Sequence, residues 1–438
     1  MSDQSSADFL FSVAGWKQRL VFWLGAILVG LLIVTMTLFS EWVGETYRSI
    51  ALRYPWFNFV IAPLGLSLTA WLTFRFFPGS ERSGIPQVKT ALEITTNLDE
   101  RSKLISLRIT AGKMLLPIMG LFSGASVGFG GPAVQVGASV MASLGKAVKF
   151  PSHYLEKGLI LAGSAAGFAA MFSTPLTGIV FAIEELGRAM EERISSLVLT
   201  AIIFAGITAY VLLDSYIFLQ DKSLLMPWGR DWLAIPLCGI AGGLSGGLFS
   251  KIIVSGGNLL SRSRSRMPMV FIAFLCGIVI AILGYHSGGQ TFGTGYQETQ
   301  AILEDYHGMD PWFPLLKMLA TCATFFSGIP SGIFVPSITV GSGVGANLAT
   351  WLPLAPPMAM ILLSIAAYFS GMLQSPITSF VMVMEMTDNQ EILIPLMATA
   401  FIAAGTSRLM NPRPLYRALC DAYIPSTRQD PEAGNNAP

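Results

Sequence analysis

Three short stretches pair glycine with a nearby proline in a way suited to an anion: Ser83-Gly84-Ile85-Pro86, Gly128-Phe129-Gly130-Gly131-Pro132 and Gly332-Ile333-Phe334-Val335-Pro336. Glycine allows a tight turn and close backbone approach, and proline in a first helical turn removes an N–H that would have no partner there. Each stretch therefore reads as the start of a helix. A helix start presents unpaired N–H groups and the positive end of its dipole, for which an anion is the natural partner. Three such starts converging would replace much of an anion's hydration shell with no full positive charge in contact, which favours fast release. Lys113 and Lys317 lie on otherwise apolar stretches ahead of the second and third motifs. Each either supplies long-range positive potential to a pathway or pairs with a membrane carboxylate, and both readings stay open.

Other chemistry finds little support. His153, His286 and His307 are scattered, and no carboxylate pair or metal-ligand spacing accompanies them. Cys238, Cys276, Cys322 and Cys420 have irregular spacing in or beside apolar runs, as packing residues do. No metal, cofactor or enzymatic activity is expected. A formal charge of +1 without a basic tract excludes a nucleic-acid partner.

The elements that must position these motifs are membrane helices. Hydrophobic residues make up 53% of 438 positions and charged ones only 12%, in long runs instead of amphipathic stripes. Leu20 to Thr37, Phe57 to Phe74, Ser196 to Leu213, Val270 to Leu283 and Ile392 to Ala404 approach the roughly 20 residues that span a bilayer, and about a dozen such segments are expected. The 44 glycines and 25 prolines cluster inside the apolar segments, which predicts helices that break at membrane depth.

Two halves echo each other. Phe122 to Gly137 aligns without gaps on Phe326 to Gly341, matching Phe, Ser, Gly, Gly, Pro, Val and Gly, and at the same offset Lys113 falls on Lys317. Farther along, Ala165, Ala166, Met171, Pro175, Thr177 and Glu184 fall on Ala366, Ala367, Met372, Pro376, Thr378 and Glu385. Broken helices at matching positions of two halves point to a site at their interface. The expected organisation is a cytoplasmic N-terminal segment at 1–19, a first membrane repeat at 20–225, a second at 226–424 and a polar tail at 425–438, with no soluble regulatory domain. Lys17 and Arg19 before the first apolar run favour a cytoplasmic N-terminus.

Taken together with Gly293-Thr294-Gly295-Tyr296, Glu385-Met386-Thr387-Asp388 and Pro414-Leu415-Tyr416, these motifs resemble the CLC family of chloride channels and anion/proton antiporters, from about Phe22 to Tyr423. The resemblance implies an all-α polytopic membrane protein of two inverted repeats with tilted and broken helices. It further implies a bacterial inner-membrane homodimer with one pore per subunit and both termini cytoplasmic. The implied anion site comprises Ser83, Gly84, Ile85, backbone N–H groups at Ile333 and Phe334, and the Tyr416 phenol. Serine at this position goes with chloride preference. Where the family usually reads Gly-Arg-Glu-Gly-Pro, this chain has Phe129, Gly130 and Gly131 at the external-gate position. Glycine can neither titrate nor block a pore. Glu185 matches the family's inner proton-transfer glutamate and is the candidate inner proton site, with a paired structural acid as the alternative. A chloride channel or uncoupled transporter is the favoured expectation, and a chloride/proton antiporter using another external acid the alternative.

Overall fold

The structure, a computed structural model, describes residues 13–94, 98–148, 153–187, 195–213, 226, 229–263 and 268–423. The expected terminal segments and the junction between the halves fall largely outside the described residues. Helices are the only regular elements among those described, joined by two isolated backbone bridges. The first half carries α1 (Val13–Arg53), α2 (Asn58–Phe76), α3 (Ile85–Glu93), α4 (Leu107–Phe122), α5 (Gly130–Val148), α6 (His153–Phe172), α7 (Pro175–Phe181) and α8 (Ser196–Leu213). The second carries α9 (Ala234–Ser263), α10 (Met269–His286), α11 (Tyr296–Glu304), α12 (Phe313–Phe326), α13 (Phe334–Trp351), α14 (Pro357–Leu373), α15 (Pro376–Thr387) and α16 (Leu393–Met410). A final short helix, α17 (Leu415–Cys420), follows.

Helix α1 shows why the fold needs a bilayer. Phe22, Ala26, Val29, Ile33 and Met36 form its buried stripe, yet Leu20, Leu24, Leu28, Leu31 and Leu38 form an equally apolar stripe facing outward. A surface helix in water would be polar there. Its 41 residues would measure about 60 Å, so it must tilt or project beyond a hydrocarbon layer about 30 Å thick.

Seven described helical segments are long and apolar enough to cross a membrane. That is fewer than the dozen apolar segments expected: α12 and α14 are apolar but shorter, and α3, α7, α11 and α15 are shorter still. Close backbone contact holds the interior together. A side chain on Gly137 would collide with the Gly163 backbone, so only glycine lets α5 and α6 approach this closely.

The halves are related by a local twofold. Gly128 N donates to Gly332 O at 2.9 Å, and Gly332 N donates back to Gly128 O at 2.7 Å, with the strands antiparallel. These two residues are equivalents in the sequence alignment. A reciprocal bond between equivalents requires an operation that exchanges them, which is a twofold with chain direction reversed. The same exchange recurs at Glu184 and Glu385. Glu385 accepts from Leu176 N (2.9 Å) and Thr177 N (2.7 Å) at the start of α7, and Glu184 accepts from Ile377 N (3.2 Å) and Thr378 N (2.6 Å) at the start of α15. Each half caps a helix of the other with a carboxylate, where the helix dipole favours negative charge.

Candidate anion site

Helix α3 begins where Gly84 adopts φ +107°, a left-handed conformation that L side chains rarely take. This turn leaves Ser83 buried immediately before the helix, and Pro86 in its first turn needs no N–H partner. Gly131 of α5 abuts Ser83 so tightly that a Cβ there would collide with the serine Oγ and carbonyl. Gly128 and Gly332 exchange bonds just ahead of α5 and α13, which brings the starts of those helices together. Ile333 is the N-cap of α13, and Phe334 is its first residue. The Tyr416 ring of α17 stacks on Phe334, with centroids 6.1 Å apart and planes 12° apart, and its phenol lies beside Ser83.

Three hydroxyls in this region, on Ser83, Ser331 and Tyr416, are buried without a hydrogen bond of standard geometry. Buried hydroxyls usually find a partner within the protein. Here they accompany the N–H groups that the starts of α3, α5, α13 and α17 leave outside the intrahelical ladder. The combined set is rich in donors. It suits a small anion far better than a cation or a metal, and no group of metal ligands is found among the described residues.

Lys113 and Lys317, both fully buried, serve the backbone. Lys113 Nζ donates to the Arg82 carbonyl immediately before Ser83. Lys317 Nζ donates to the carbonyls of Thr291 (3.1 Å), Phe292 (3.3 Å) and Gly293 (3.0 Å), immediately before Thr294. Neither forms an ion pair among those described, so the carboxylate-partner reading of these lysines is corrected. Each lysine holds the turn that precedes a broken helix.

The lysine that does pair with a carboxylate is Lys89, on α3. Its Nζ lies 2.6 Å from Glu185 Oε1, and Ser375 Oγ donates to Glu185 Oε2 at 2.7 Å. Both charged side chains are buried. Glu185 sits in a π-helical turn, Ala182–Leu186, continuous with α7. Adjacent Glu184 reaches α15 from this turn, and Glu185 reaches α3 and Ser375.

The space beside Gly130 is occupied. A Cβ there would lie 3.2 Å from Phe172 Cε2 and Cζ and 3.3 Å from Phe334 Cβ. Phe129 is fully buried, and the neighbour met by Gly130 is Phe172, from the end of α6.

Comparison with known proteins agrees with this architecture. The family described as voltage gated chloride channel matches residues 65–408, most of the chain. The chain belongs to this family. A H(+)/Cl(-) exchange transporter ClcA of Cronobacter sakazakii is 28% identical over 388 residues, spanning 83% of this chain and 80% of that protein. A ClcA of Yersinia pestis is 25% identical over 419 residues, spanning 90% and 85%. Among solved structures, a slow cyanobacterial Cl-/H+ antiporter superposes with a TM-score of 0.77 at 23% identity, covering 93% of this chain and 99% of that one. A CLC-type fluoride/proton antiporter gives 0.73 at 20% identity, covering 93% and 98%. The fold is thus the CLC membrane fold, and members of this family are transporters or channels, not enzymes.

Within the family fold, the residues singled out from sequence gather in one place: Ser83, Gly84, Ile85, Gly130, Gly131, Ile333, Phe334 and Tyr416. Sequence reasoning missed Ser331, Lys89 and Phe172. Lys89 was legible only as a charge in an apolar stretch. Ser331 and Phe172 carried no signal, being ordinary residues placed by the approach of distant helices.

Proposed function

We propose that the chain conducts chloride or a similar small anion passively through the bilayer. Ser83, Tyr416 and the first N–H groups of α3, α5 and α13 would hold the central ion. The observation that carries the reading is the pair Gly130 and Gly131 at the start of α5, a position where the CLC resemblance expects a gating glutamate. A helix start without a carboxylate has nothing to compete with an anion for its N–H groups, and nothing to hand on a proton. The burial of Glu185 against Lys89 and Ser375 supports the same conclusion. An acid bonded at both oxygens serves packing, since freeing it would leave a buried ammonium unpaired.

On this reading the protein is a homodimer of two independent pores in a bacterial inner membrane, with both termini cytoplasmic. The competing reading is a chloride/proton exchanger, favoured by the names of the Cronobacter and Yersinia relatives. It would need an external acid other than residue 130. Reconstitution into liposomes under a chloride gradient, with external pH recorded, separates the two. Chloride flux without coupled proton movement is expected, and proton uptake driven uphill by chloride overturns the channel.

A further inference from the structure

We infer that the rings of Phe172 and Phe334 form an apolar gate at the start of α5, so that the constriction opens by ring movement instead of by protonation. The inference rests on reading Gly130 as the gate position, and it names what occupies that place. A methyl group on Gly130 would meet both residues at 3.2–3.3 Å, tighter than ordinary van der Waals contact, so the glycine surface is already covered. The cover is continuous with the proposed ion site. Phe172 and Phe334 have ring centroids 6.2 Å apart, and Phe334 stacks on Tyr416 at 6.1 Å. Phe168 backs both rings, at 5.0 Å from Phe172 and 5.3 Å from Phe334, and is itself stacked on Phe181 at 4.2 Å.

Two features suit these rings to moving. Phe334 is the first residue of α13 and Phe172 the last of α6, and the residue after Phe172, Ser173, has φ +54°. A side chain at the first position of a helix has no preceding helical turn to restrict its rotamer. Beside Phe172, the hydroxyls of Ser173 and Thr174 are buried without hydrogen bonds, so neither side chain ties the joint between α6 and α7. An aromatic constriction works by excluding water, and a weakly hydrated anion crosses it more readily than a strongly hydrated one.

The test uses the full chain in liposomes, measuring chloride and thiocyanate efflux for the wild type, Phe172→Ala, Phe172→Leu and Gly130→Ala, each checked for a monodisperse dimer. Phe172→Ala is expected to raise chloride efflux about tenfold and to reduce the preference for thiocyanate over chloride. Phe172→Leu should move both in the same direction by less. Gly130→Ala presses a methyl against the Phe172 ring and the Phe334 Cβ and should lower chloride efflux about tenfold. Folded Phe172 variants with wild-type rates and wild-type anion preference overturn the gate. If neither Phe172 variant folds, unchanged efflux in Gly130→Ala overturns it and reduced efflux supports it. Uphill proton uptake by the wild type would instead sink the channel reading, a result distinguishable from failure of the gate.

Discussion

The turn at Ser83 and the turn at Thr294 are the same piece of backbone built twice. Gly84 at φ +107° and Gly295 at φ +90° each open a nine-residue helix, α3 and α11. A buried lysine grips the carbonyl two residues before each glycine. A Cβ on Gly84 would strike Gln135, and one on Gly295 would strike Thr339, the twofold equivalent of Gln135. The chemistry laid on this shared scaffold differs. The Ser83 hydroxyl has no standard hydrogen bond and faces Tyr416 of α17, the last described helix. Thr294 Oγ1 accepts from Tyr296 N at 3.3 Å and borders a cavity of about 160 Å³ shared with Glu41, Glu45, Arg48 and Glu298. Six residues after the hydroxyl, Lys89 pairs with Glu185 in one copy, while Gln300 donates to Tyr296 OH at 3.0 Å in the other. Backbone conformation has been duplicated; the donor set suited to an anion has not.

The largest predicted effect breaks the contrast between Lys89 and Gln300. Lys89→Met leaves Glu185 buried without its cation and should lower stability by about 3–5 kcal/mol, with partial recovery in Lys89→Met/Glu185→Gln. Gln300→Met should stay close to wild type. Thermal unfolding in detergent measures both, and equal losses at the two positions would dissolve the distinction.

A middle-sized effect concerns the clamps. Stranding a buried carbonyl costs about 1–3 kcal/mol. Lys317→Met removes the lysine donor from those of Thr291, Phe292 and Gly293, whereas Lys113→Met leaves that of Arg82 still accepting from Ser331 N at 3.1 Å. Lys317→Met should therefore show the greater loss of stability and Lys113→Met the greater loss of chloride efflux, since its carbonyl adjoins Ser83. The opposite ranking would place the working site at Thr294.

The smallest effect sharpens the assignment itself. Ser83→Ala should lower chloride efflux or selectivity about tenfold, roughly 1.4 kcal/mol, while Thr294→Ala should leave both near wild type. Comparable losses from the two variants would show that the copies share the anion pathway equally.

Much of this is legible in the sequence alone. Long apolar runs without a polar face require a membrane, and the gapless match of Phe122–Gly137 with Phe326–Gly341 shows two related halves. The motifs around Gly84, Gly131 and Gly332 announce helix starts, because proline and glycine act through the local backbone and mark themselves in any short window. The correspondence of Ser83-Gly84 with Thr294-Gly295 was harder to see. Their side chains diverged, and what they share is a positive φ and a lysine clamp.

Local sequence thus determined the solvent of this protein, its duplication and the places where its helices begin, since each depends on residue type and near neighbours. Tertiary structure alone decided that the halves meet about a twofold at Gly128 and Gly332, and that Lys113 and Lys317 bind carbonyls while Lys89 takes the carboxylate. It also decided that Phe172 covers Gly130. These contacts join residues far apart in sequence, and burial in a closely packed membrane interior, where an unpaired charge or backbone polar group is costly, selects which ones form.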